Sequence, residues 1–145
     1  MNLPGEHSNR TRPLPNVYFQ TIFLAKESDI DWPPEFAIIT AWAPTGMVWS
    51  DERNRLADQR LFAELSRLDV WLKRLTGQSP DGHHAEPGWA VEVDFQTACD
   101  IGNAFKQVAI YFVSDNRLNV SYCDERRELV FFDSFLNRVL PGPGD

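Results

Sequence analysis

The sequence contains two segments in which apolar residues recur at helical spacing, and short apolar runs typical of strands flank both of them. In the first segment, Asp51 to about Leu68, the side chains of Ala57, Leu61, Leu65 and Leu68 form one stripe. In the second segment, Phe95 to about Lys106, apolar residues again fall on one face. Two helices that each carry one apolar stripe need a common sheet face to cover, which predicts an α+β domain.

The residues that flank these segments support both helices. Ser50 and Asp94 are predicted N-caps, because their side-chain oxygens can accept hydrogen bonds from the first turn. In the second helix, Gly102 lies beside the apolar face and is expected to allow a close backbone approach.

Several apolar runs between turn residues are predicted to be strands. The run Glu35–Trp42 is apolar on both faces at its centre, as expected for a strand covered on both sides. The run Arg117–Tyr122 alternates apolar and polar residues, which predicts a hairpin strand with one face in water. The other predicted strands are Val17–Leu24, Val70–Leu75, Gly88–Val93 and Val108–Val113, with Glu128–Phe132 as a further strand or short helix.

The order of these elements favours one topology. From Glu35 onward it is strand, helix, strand, strand, helix, strand and then a hairpin partner. We therefore predict a ferredoxin-like split βαβ sandwich, with an antiparallel or mixed sheet, two helices on one face, an extra N-terminal strand and a C-terminal hairpin. Residues 1–16 are expected to form a flexible proline-containing arm, 17–140 a single domain and 141–145 a flexible tail.

Charge and composition narrow the possible functions. The 145 residues include 14 basic and 21 acidic side chains, for a net charge of -7, which repels phosphate backbones and anionic lipid. A sheet of this fold class can also bind nucleic acid by stacking bases on its aromatic side chains. The run Val108–Val113, however, lacks the Gly and basic pattern of an RNA-recognition strand, so nucleic acid is not an expected partner.

The sequence also bears on location. No apolar run approaches the roughly 20 residues that span a bilayer, and Met1–Asn16 lacks the apolar middle of a secretory signal, which predicts a cytoplasmic protein. Cys99 and Cys123 are predicted to be buried thiols.

Four short motifs carry a family resemblance. They are Ile39-Thr40-Ala41-Trp42-Ala43-Pro44, Ser50-Asp51 with Asn54, Glu86-Pro87-Gly88, and Phe105-Lys106-Gln107 with Ala109. In order and spacing they resemble a bacterial family known as domain of unknown function 3293, from about Phe36 to Val113. The resemblance implies a shared fold and a shared groove, and brings no assigned activity. Ala43 stands where that family usually has Asn, and Lys106 stands where it has Gly.

Five residues form the candidate ligand-binding groove. They are Thr40, Trp42, Asn54, Glu86 and Gln107, which the predicted topology gathers where a strand end meets a helix start. The leading hypothesis is a small binding or regulatory domain for a protein partner or an uncharged small molecule, with no cofactor. The alternative is structural: these side chains satisfy backbone groups or fix a loop, and Trp42 fills the core.

A second hypothesis is metal-assisted hydrolysis through His83, His84 and Glu86, because His84 and Glu86 point the same way in an extended chain. Elemental analysis of the purified protein separates the two hypotheses. The binding-domain hypothesis predicts no stoichiometric zinc, iron or manganese, whereas one equivalent of any of these metals would support the hydrolase.

Overall fold

The computed structural model describes residues 14–44 and 47–141 of the chain. The described residues form two helices and eight strands, with 3₁₀ turns at Asn16–Phe19 and Phe135–Asn137. No helix in this part of the chain is long and apolar enough to cross a bilayer. In chain order the elements are β1 (Ile22–Ala25), β2 (Glu35–Thr40), α1 (Asp51–Ser66), β3 (Leu72–Gln78), β4 (Ala85–Val91), α2 (Phe95–Ala104), β5 (Ala109–Ser114), β6 (Arg117–Tyr122), β7 (Val130–Ser134) and β8 (Val139–Pro141).

All eight strands belong to one curled sheet with the order β7-β6-β5-β2-β4-β3-β1-β8. Neighbouring strands are antiparallel except for β1 and β8, which are parallel. Strands β7 and β8 lie at opposite ends of this order, yet a short segment containing the turn Phe135–Asn137 joins them. The sheet must curl for so short a link to connect its two ends. The α+β class is confirmed, and the sheet is larger than predicted, since β8 was not expected.

The two faces of the sheet are covered in different ways. Ala37 and Ile39 of β2 belong to the cluster that contains residues of both helices, so the helices share one sheet face, as predicted. Phe36 and Ile38 point to the other face, which the curl encloses. There the Phe135 ring lies against Phe36, with ring centroids 5.2 Å apart. Strand β2 is therefore covered on both sides, which confirms the prediction from its continuous apolar centre.

Both predicted N-caps are present. The Ser50 hydroxyl accepts a hydrogen bond from the Arg53 amide at 3.1 Å, and the Asp94 carboxylate accepts one from the Thr97 amide at 2.7 Å. Each cap satisfies an amide that the helix itself leaves without an acceptor.

The buried stripe of α1 differs from the predicted one. Leu61 and Leu65 are buried as expected, but Leu68 lies beyond the end of the helix and is 42% exposed. The stripe continues instead toward the N-terminus through two polar residues, Asn54 and Asp58, both buried. Buried polar side chains need hydrogen-bond partners, and the partners of these two lie at and beside the candidate site.

The predicted strand Val17–Leu24 is wrong in its first half. The chain turns after Pro15, where the Tyr18 amide donates to the Pro15 carbonyl at 3.1 Å, and β1 begins only at Ile22. Most of the predicted arm, residues 1–13, lies outside the described residues, as does the tail at 142–145. The first described residue, Leu14, is buried.

The prediction that β6 has one wet face is also wrong. Asn119 and Ser121 are buried, although they alternate with apolar residues. The Asn119 amide donates to the Phe112 carbonyl at 3.1 Å, and the Ser121 hydroxyl accepts from the Glu128 amide at 3.0 Å. Polar side chains can be buried when such partners are supplied, and alternation alone does not show that.

The close approach expected at Gly102 gives a test of the helix–sheet packing. A Cβ at this position would lie 2.6 Å from Cys123 Sγ and 2.7 Å from Ile110 Cγ2. Gly102→Ala should therefore lower the free energy of unfolding by about 1–3 kcal/mol, measured by urea denaturation. The exposed neighbour Asn103→Ala is the control and should change it by less than about 0.5 kcal/mol. Equal stability of Gly102→Ala and the wild type would contradict this packing.

Candidate functional site

A cavity of about 580 Å³ opens at the mouth of the curled sheet, beside the end of β2. Its wall includes apolar side chains that point into the curl, among them Phe23, Ile38 and Leu75. The structure brings all five predicted site residues to this one cavity: Thr40, Trp42, Asn54, Glu86 and Gln107.

Two side-chain amides hold the peptide group between Trp42 and Ala43. The Gln107 amide nitrogen donates to the Trp42 carbonyl at 2.8 Å, and the Asn54 amide oxygen accepts from the Ala43 N–H at 2.8 Å. Gln107 and Asn54 are only 9% and 4% exposed. The predicted proximity of the strand end and Gln107 is therefore confirmed. Because Asn54 lies in α1 and Gln107 follows α2, this single peptide group connects both helices to the end of β2.

Gln107 reaches Trp42 because of the way α2 ends. The Gln107 amide donates to the Gly102 carbonyl at 2.9 Å, and the Lys106 amide donates to the Asn103 carbonyl at 3.0 Å, which is the Schellman arrangement. Lys106 adopts the left-handed backbone conformation that this arrangement requires, with a φ of 64°. Gly adopts this conformation with the least strain, and this chain instead places a lysine side chain there.

Three of the candidate side chains, Thr40, Asn54 and Gln107, form hydrogen bonds with backbone groups. The Thr40 hydroxyl donates to the Pro87 carbonyl at 2.9 Å and accepts from the Trp42 amide at 3.1 Å, which ties β2 to β4. Asn54 and Gln107 also satisfy backbone groups, as the structural alternative expects, because both bind the Trp42–Ala43 peptide group. Each amide nevertheless has a second polar atom, Asn54 Nδ2 and Gln107 Oε1, that bonds to no residue in the described ranges. These two atoms are available to a ligand as a donor and an acceptor.

Glu86 places a carboxylate in the cavity wall. One of its oxygens, Oε2, lies 2.7 Å from His84 Nε2, and the His84 side chain is mostly exposed at the rim. The backbone amide of His83 donates to Asp81 at 2.9 Å. Within residues 14–44 and 47–141, no three His, Cys, Asp or Glu side chains are grouped so that they could hold a metal ion. The structure therefore pairs two of the three alternative metal ligands without adding a third.

Tyr111 adds a polar but uncharged group to the wall. Its hydroxyl donates to the Tyr18 carbonyl at 2.8 Å and lies 2.9 Å from Thr21 Oγ1. Burial raises the pKa of the Tyr111 phenol well above its ordinary value, so the group stays protonated.

Sequence reasoning missed an ion pair that supports this site from the helix side of the sheet. Arg74 binds both carboxylate oxygens of Asp58 at 2.8 Å, and the Trp89 indole N–H donates to Asp58 at 3.0 Å. Arg74 also donates to the Gly88 carbonyl at 3.2 Å, and its guanidinium lies 4.2 Å from the Trp89 ring centroid. These bonds fix the β4 segment that follows Glu86.

The sequence did contain a signal for this pair. Asn54, Asp58, Leu61 and Leu65 are spaced by four, three and four residues, so both polar residues lie on the buried stripe of α1. A polar side chain on such a stripe needs a buried partner. The partner, Arg74, lies on a strand and could not be identified by spacing.

Residues 39–110 match the model of a protein family described as Protein of unknown function (DUF3293). The matched segment runs from β2 into β5 and contains all five candidate residues. No curated protein and no solved structure matches the chain.

The left-handed Lys106 provides a test of how Gln107 is positioned. Lys106→Gly should raise the free energy of unfolding by about 0.5–1 kcal/mol, because it removes the strain of a side chain at positive φ. Lys106→Ala removes the charge but keeps Cβ, and should give no such gain. Urea denaturation measures both variants, and a destabilised Lys106→Gly would show that the conformation carries no strain.

Proposed function

The chain belongs, through residues 39–110, to the family Protein of unknown function (DUF3293), and from its cavity we propose that it binds a small organic molecule without negative charge. The observation that carries this proposal is that one cavity gathers five residues from separate segments of the chain: Thr40, Trp42, Asn54, Glu86 and Gln107. Its volume of about 580 Å³ falls in the range of small-molecule sites, roughly 300–1,000 Å³.

The lining of the cavity has the composition of a ligand site. Most of its inner wall is apolar, and a few polar atoms face it from fixed positions. The free donor Asn54 Nδ2 and the free acceptor Gln107 Oε1 can bind an uncharged molecule that offers the complementary groups.

Two observations support the exclusion of anions. No Lys or Arg in the described ranges lines the cavity, whereas the carboxylate of Glu86 does. The whole chain has a net charge of -7, which also repels anionic ligands.

The rigidity of the site favours binding as well. The Trp42–Ala43 peptide group is held on both sides, and the Asp58–Arg74 pair fixes the Gly88 backbone. A site that is ordered before the ligand arrives loses less conformational freedom on binding.

We also propose that the core of the fold is the split β-α-β arrangement expected from the sequence. The spatial order β5-β2-β4-β3 is antiparallel throughout and supports this description, since β4 separates β2 from β3, and β2 separates β4 from β5. Strands β1, β6, β7 and β8 extend this core on either side.

A fluorescent probe tests the proposed binding. 1-Aminoanthracene is an uncharged aromatic molecule, and we expect it to bind with 1:1 stoichiometry and a micromolar Kd, measured by fluorescence titration. Ala43→Phe places a ring at the cavity wall and should weaken binding at least tenfold, on the order of 1.4 kcal/mol. Ala63→Phe places the same ring on the exposed face of α1 and should have no effect.

Unfolding midpoints of both Phe variants show whether either change disturbs the fold. A probe that does not bind the wild type, or that binds wild type and Ala43→Phe equally, would contradict the proposal.

A further inference from the structure

We infer that the ligand carries an ammonium group, which Glu86 recognises at the rim while an apolar body occupies the inner wall. The inference rests on the proposed function and names the chemical class of the ligand. It starts from the only carboxylate among the described residues that line the cavity.

Glu86 has an unused oxygen that can accept an ammonium proton. Its Oε2 pairs with His84 Nε2, but its Oε1 bonds to no residue in the part of the chain that the structure describes. The Glu86 side chain is 29% exposed and lines the cavity, so a ligand in the cavity can reach it. A hydrogen bond between an ammonium and a carboxylate is about twice as strong as one between neutral groups.

The cavity offers no competing cation of fixed charge. Every Arg and Lys in the described ranges lies outside its lining: Arg74 is bound to Asp58 on the opposite face of the sheet, and Arg138, which donates to the Thr21 carbonyl, is paired with Asp133. Only His84 can share the Glu86 carboxylate, and it is 67% exposed. An ammonium ion would therefore supply a positive charge that the wall lacks.

The wall also suits a cation attached to an apolar body. Trp42 and Tyr111 line the cavity with Glu86, and aromatic faces attract cations through their ring quadrupoles. Phe23, Ile38 and Leu75 provide the apolar surface beyond them. Asn54 and Gln107 present a free donor and a free acceptor beside this surface.

Three ligands of one shape test the inference by displacement of bound 1-aminoanthracene. Phenethylamine, 2-phenylethanol and phenylacetate share a phenyl body and differ in carrying a positive, a neutral and a negative group. We expect phenethylamine to compete at least tenfold more strongly than 2-phenylethanol, and phenylacetate not to compete. If the probe binds but the amine and the alcohol compete equally, the ammonium inference is wrong while the proposed function stands. If the probe itself does not bind, the proposed function fails.

Two variants separate recognition by Glu86 from a structural role. Glu86→Gln keeps the shape and should remove the tenfold preference for the amine while retaining probe binding. His84→Gln should leave phenethylamine binding unchanged or stronger, because it frees Glu86 Oε2 from its partner. A purely structural His84–Glu86 pair would instead weaken probe binding in both variants. Glu92→Gln, at an exposed residue outside the cavity, is the matched control.

A lysine side chain of a partner protein could present the same ammonium group. Nα-acetyl-lysine methylamide distinguishes this source from a free amine, because its ammonium sits on an alkyl chain with no aromatic body. We expect it to compete at least tenfold more weakly than phenethylamine. Equal competition would overturn the assignment to a small molecule.

Discussion

The short link between β7 and β8 is the constraint on which the cavity depends. These strands occupy the two ends of an eight-stranded sheet, and the few residues around Phe135–Asn137 connect them. A flat sheet would hold its edges far apart, since neighbouring strands lie about 4.8 Å from each other. The sheet therefore curls, encloses Phe23, Phe36 and Phe135, and leaves an open mouth where β2 ends.

The polar groups at that mouth serve the fold and can serve a ligand at the same time. Asn54 and Gln107 each use one atom on the Trp42–Ala43 peptide group and keep a second atom free. Glu86 likewise gives one oxygen to His84 and keeps the other. The structural and ligand-binding interpretations of these side chains are therefore compatible, and the proposed experiments separate their contributions.

The local elements could be predicted because their causes are local. Ser50 and Asp94 cap the helices with their own side chains, and the apolar centre of β2 reflects its burial on both faces. The first half of the predicted strand at Val17 was wrong because Pro15 starts a turn, and the polar residues of β6 were misjudged because the alternation of residue types does not reveal the hydrogen-bond partners that allow their burial. The Asp58–Arg74 pair escaped prediction for the same reason.

The sequence by itself determined the α+β class, the capped helices with a shared sheet face, and the five residues that meet at the cavity. Periodicity and capping depend on neighbours a few residues apart, so they can be read along the chain. Only the tertiary structure decided the curl, the pairing of β8 with β1 at the edge of the sheet, and which polar atoms remain free. These features depend on contacts between distant segments, and such contacts exist only after the chain has folded.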